Sequence, residues 1–147
     1  MRRATIAFAL VAASALITTA CVKQEVVRGS NVGPALVVEQ FLRAANDKDL
    51  QRMGQLFGTK DGPIANRDPR DQVEQRMFAI ASVLRHEDFE LESEQQVPGR
   101  TADAIQLTVK LTISGALYRV PFTVVRFKEQ SFLVEQIGIE VITNRPR

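Results

Sequence analysis

Cysteine, histidine and tyrosine occur once each in 147 residues. A single cysteine excludes an internal disulfide framework. With one histidine beside it, any transition-metal site would rest almost wholly on carboxylates, a poor donor set for zinc, copper or iron. No metal and no other cofactor is expected. Glycine-rich phosphate loops and nucleophile elbows are missing as well. A dominant charge of one sign is also lacking, with 19 Lys+Arg against 17 Asp+Glu. Removing residues 1–20 takes away Arg2 and Arg3 and no acid, which leaves 17 against 17. A nucleic-acid partner held by bulk positive charge is therefore not expected. Without a catalytic constellation, the chain is expected not to be an enzyme.

What is present begins at the N-terminus. Met1-Arg2-Arg3 is followed by "IAFALVAASALI", an apolar run of 12 residues, and then by small residues. This is the three-part plan of a secretory signal. The uncharged run from Ala4 to Ala20 spans 17 residues, the short limit for crossing a bilayer, so an uncleaved anchor is the alternative. The run ends in "TTAC", where Ala20 precedes the lone Cys21. An exported chain with one cysteine carries a thiol without an internal partner in an oxidising compartment. Either that thiol is modified, or ordinary cleavage after Ala20 leaves it bare.

"TTAC" resembles the lipobox of bacterial lipoproteins over about the first 21 residues. Thr18 stands where that family prefers Leu. The resemblance implies a diacylglycerol on Cys21, cleavage before it, and acylation of the new amine, with palmitate among the chains. It also implies a membrane partner reached through the lipid anchor. Val22 replaces the Asp that retains such proteins in the inner membrane, which implies the outer membrane, facing the periplasm.

Residues 22–33, "VKQEVVRGSNVG", read as a polar tether, with a short edge strand at Glu25-Val26-Val27 as the alternative. Residues 34–143 hold enough chain for one domain, and 144–147 form a tail. Pro34 suits a first helical turn. Val37, Val38, Phe41, Leu42 and Ala45 form one helical stripe. Asn46 and Asp47 break it. Leu50, Met53, Leu56 and Phe57 form a second stripe, with Gly58 as its stop. "TKDGPIANR" is a loop. A third helix should run from Pro69 to about Arg85, capped by Asp68, with Val73, Met77, Ile80 and Leu84 inward.

The period then changes to two. Phe89 and Leu91 alternate with glutamates, and Ile105, Leu107, Val109, Leu111 and Ile113 alternate with polar residues. Ser114-Gly115 marks a hairpin turn before "ALYRVPFTVVRFK". "SFLVEQIGIEVIT" reads as a last strand. The fold class is α+β: about four antiparallel strands follow three N-terminal helices.

"VVEQFLRAANDKDLQRMGQLF", residues 37–57, resembles the nuclear transport factor 2-like superfamily and its SnoaL-like branch; the element order extends this likeness over residues 34–142. The resemblance implies a cone, in which a curved antiparallel sheet wraps the helices and leaves a pocket at its open end. Four residues are candidates to line such a pocket: His86, Tyr118, Arg126 and Gln136. Each also has a structural explanation. His86 follows a helix end, where a cation is favoured. Tyr118 starts a strand. Arg126, Gln136 and Glu140 share a parity with Val120, Phe122 and Val134 but lie near strand ends.

Both parities of "VPFTVVRF" and "FLVEQIGIEVI" carry apolar residues, which one solvated sheet face would not require. A homodimer or a protein partner on the sheet face is therefore expected, unless the chain covers that face itself. Pro121 cannot donate to a ladder and implies an edge or a bulge. The functional expectation is an envelope lipoprotein anchored through Cys21. Its cone would act as a non-catalytic module for a small apolar ligand or a protein. The alternatives are an envelope isomerase, dehydratase or cyclase of the SnoaL-like kind, and a structural assembly factor at the outer membrane.

Overall fold

The computed structural model describes residues 33–144. The expected signal segment, Cys21, the tether up to Val32 and residues 145–147 lie outside the described residues. Among the described residues the order is α1 (Pro34–Asp47), α2 (Leu50–Leu56), β1 (Gly58–Thr59), β2 (Gly62–Pro63), a 3-10 turn (Ile64–Asn66) and α3 (Arg70–Leu84), and then β3 (Asp88–Gln96), β4 (Ala104–Ile113), β5 (Ala116–Lys128), β6 (Ser131–Ile137) and α4 (Glu140–Thr143). The class is α+β, as expected. β3, β4, β5 and β6 are neighbours in chain order and form one curved antiparallel sheet.

The helix stripes do what their spacing implies. Pro34 takes the first turn of α1, and Val37, Val38, Phe41, Leu42 and Ala45 are all buried. Helix α1 continues through Asn46 and Asp47 and stops at Lys48, whose φ of 55° is left-handed. Asp49 then caps α2, accepting the Arg52 N–H at 3.0 Å. In α3 the expected cap shifts. Pro69 is the N-cap, and Asp68 instead reaches Arg76 at 3.6 Å. Val73, Met77 and Leu84 are buried and Ala81 joins them, while Ile80 is half-buried.

One cluster unites the layers. Val38, Phe41 and Leu42 share it with Val109, Leu111, Val120, Phe122, Val124 and Val134. All nine are without exposed surface. Each such side chain contributes about 1.5–3 kcal/mol through burial. The concave side of the sheet is thus filled from within.

Bulges bend the strands. The β3–β4 register shifts between Leu91 and Ser93, and the β5–β6 register shifts at Thr123/Val124 and Arg126/Lys128. An extra residue on one strand increases local twist and turns successive side chains away from strict alternation. The consequence for β6 is specific. Val134 lies opposite Val124, but Gln136 lies opposite Thr123 and Ile137 opposite Phe122. The inward positions are Val134 and Ile137, three apart, so parity reverses across Glu135.

The last apolar run is not one strand. β6 ends at Ile137, and Gly138 turns the chain into α4. Ile139 and Ile142 pack against the main core, while Val141 stays exposed. Gly138 donates to the Pro121 carbonyl at 2.8 Å, and a Cβ there would stand 2.5 Å from Pro121 Cγ. Pro121 is the first β5 residue beyond the β6 ladder, which agrees with the expected edge.

The expected loop at "TKDGPIANR" contains a short hairpin. Gly58 pairs with Pro63 and Thr59 with Gly62. Phe57 bridges to Val134, so this hairpin lies along the free side of β6 and shields part of that edge. Gly58 is therefore not a left-handed helix stop. Its role is close approach: a Cβ on Gly58 would lie 2.2 Å from the Gly62 carbonyl oxygen. Gly58→Ala should destabilise the chain by about 1–3 kcal/mol through overpacking. Urea unfolding of the two proteins gives the difference, and an unchanged midpoint would refute the assignment.

Candidate functional site: a groove beside a latched histidine

A surface depression of about 370 Å³ lies where the end of α1 meets the start of β3. It is lined by Arg43, Asn46, Asp47, His86, Glu87, Asp88 and Phe89. Arg43 is already bonded to Glu39. Glu87 accepts the Gly115 N–H at 3.3 Å, which ties the groove to the β4–β5 turn. Asp47 and Asp88 contribute carboxylates that the remaining lining does not neutralise, so the groove is acidic.

His86 is buried, 9% exposed, and held on three sides. Its backbone N–H donates to Asn46 Oδ1 at 3.1 Å. Asn46 Nδ2 donates to the His86 carbonyl at 3.0 Å and lies 3.3 Å from Nε2. Nδ1 lies 2.7 Å from the Leu84 carbonyl. A carbonyl only accepts, so Nδ1 carries the proton and Nε2 accepts from Asn46. Phe89 meets the ring edge-on at 5.5 Å. Both ring nitrogens are thus occupied, Nε2 by α1 and Nδ1 by the last turn of α3. At the end of α3 the ring caps a carbonyl of the helix's last turn.

The other three candidate residues do not join this groove. Tyr118 lies opposite Leu111, half-buried against the main core. Arg126 lies at the other end of the sheet, opposite Phe132, with its guanidinium 5.3 Å from that ring and 3.5 Å from Asp103. Gln136 is exposed on the outer face, because the shift at Glu135 reverses the parity that was expected to turn it inward. The four side chains do not converge. Asn46 and Asp47 were legible only as a break in a helix. The pairing of Asn46 with His86, 40 positions away, leaves no local signal.

The outer sheet face is graded along its length. At one end Ala104, Val125 and Leu133 are buried, with Val97 and Phe127 packed on them. Arg100, from the β3–β4 turn, bonds Glu135 across this cluster's border. These residues supplied the second apolar parity, and the chain covers them itself. In the middle, Lys110 meets Glu90 at 2.8 Å and Arg119 meets Glu92 at 2.8 Å. Hydrogen bonding to Arg119 holds the Glu92 carboxyl below its ordinary range. At the far end Leu117 is 67% exposed. Among the described residues no group of three or more His, Cys, Asp or Glu could hold a metal, and no helix is long and apolar enough to cross a membrane.

Asn46→Ala should cost about 1–3 kcal/mol, because it strips partners from the His86 backbone and ring together. Thermal or urea unfolding measures this. A loss below a few tenths would show that the latch carries little.

No protein-family description matches the chain, and no curated protein does. Among solved structures it is similar to the crystal structure of a de novo designed protein with a curved β-sheet. The two are 11% identical, over 71% of this chain and 96% of the designed one, with a TM-score of 0.43.

Proposed function

We propose that this chain is a bacterial envelope lipoprotein, attached through Cys21 to the outer membrane. Its domain, a filled cone of the nuclear transport factor 2-like kind, serves as a non-catalytic protein-interaction module. One observation carries the second half: the concave side of the sheet, where a ligand pocket would lie, is occupied by Phe41, Leu42, Val109, Val120, Phe122 and Val124. That leaves the surface, rather than an interior cavity, to meet a partner. The acidic groove and the outer sheet face are the surfaces on offer. Both ring nitrogens of His86 are already hydrogen-bonded, to Asn46 and to the Leu84 carbonyl, which supports a structural rather than a proton-transfer role for that ring.

The lipid half rests on "TTAC" at the end of an apolar run. Labelled palmitate should enter the wild-type chain and be lost in Cys21→Ala; equal labelling of both would sink the anchor. The interaction half has a separate test. Native mass spectrometry of the chain from Val22 onward should show no small molecule bound at one-to-one stoichiometry. A recurrent adduct would return the function to ligand binding.

A further inference from the structure

β3 is an edge strand of nine residues. One side pairs with β4, and among the described residues no strand pairs with the other. An open edge offers unpaired backbone donors and acceptors to another chain. Two features define what this edge would take. Its sequence, "DFELESEQQ", carries Asp88, Glu90, Glu92 and Glu94 and no cation. Lys110 and Arg119 offset Glu90 and Glu92. Asp88 forms no ion pair, and the acidic groove with Asp47 continues from the same end of the strand; Glu94, beyond the register shift, lies opposite Leu107 on the inner side. On the inner side, Phe89 and Leu91 are only half-buried beside the open edge. Strand alternation places these two on the opposite face from Asp88 and Glu90.

We infer that β3 accepts a fifth strand from a partner protein whose extended segment alternates cationic and apolar residues. A cation faces Asp88 beside the acidic groove, and the apolar residues cover Phe89 and Leu91. The backbone ladder supplies affinity and the alternation supplies specificity, as in other strand additions. The same carboxylates exclude a second copy of this chain, since β3 against β3 would set acid opposite acid. This inference deepens the interaction reading above and rests on it.

The probe is a capped nine-residue peptide alternating lysine and valine, titrated into isotope-labelled chain from Val22 onward, which retains the whole core described above. Amide resonances of residues 88–96 and of the groove should shift, and hydrogen exchange along β3 should slow. Asp88→Lys, at a side chain that forms no ion pair, should weaken binding by about tenfold. Two control peptides complete the test, one with glutamate for lysine and one with alternate amides N-methylated; neither should bind. Absence of shifts at millimolar lysine–valine peptide would overturn the site, as would equal binding of the glutamate peptide. Equal binding of the N-methylated peptide would overturn it too, because charge alone would then suffice. A failed titration beside intact palmitate labelling and a ligand-free mass spectrum would remove strand addition and leave the lipoprotein module standing.

Discussion

The apolar stripe of α1 has one surface to bury against, the concave side of the sheet, and the rest of the domain follows from that contact. Val38, Phe41 and Leu42 point into a curve that β4, β5 and β6 form around them. A flat sheet would leave the outer strands out of reach of a single helix. The bulges supply the bend, and each bulge disturbs the alternation that would otherwise divide the strand cleanly into two faces. Phe57 closes the arrangement from the side: its ring lies 6.0 Å from that of Phe41, and its backbone bridges to Val134. One residue after α2 therefore ties the helical layer to the sheet edge.

The elements with a long, uninterrupted period were legible. The stripes of α1, α2 and α3 and the alternation of β4 appear in the sequence because each repeats one geometric step several times. The Ser114-Gly115 turn was legible for a different reason: both residues take positive φ, at 50° and 74°, a conformation that suits this pair of turn residues. Three features were hidden. The β1–β2 hairpin is too short to show a period. The break between β6 and α4 falls inside a run that is apolar throughout, and composition does not distinguish strand from helix there. The shift at Glu135 is invisible because it depends on which residue of β5 each residue of β6 faces.

That last point decides where the chemistry sits. Parity counted along "FLVEQIGIEVI" turns Gln136 inward; the register turns it out and brings Ile137 in. A polar wall inside the curved sheet thus becomes an apolar one. The same counting suggested a second apolar face awaiting a partner. In the structure Val125 and Leu133 belong to a small separate cluster closed by Val97 and Phe127. Residues that look like an interface in one dimension are a second, minor core in three.

The exposed surface follows from how the sheet ends are managed. The β6 edge is shielded in part by β1 and β2, and the early part of β5, which β6 does not reach, is flanked by α4. Among the described residues β3 is left without cover on its outer side and is flanked by charge instead. Charge is a selective defence. It repels edges of like sign, which protects against self-association, yet it attracts edges of opposite sign. A strand shielded by a helix is closed to every partner. On the strand-addition proposal, a strand guarded by carboxylates, with Phe89 and Leu91 half-covered behind them, is closed to its own kind and open to a basic one.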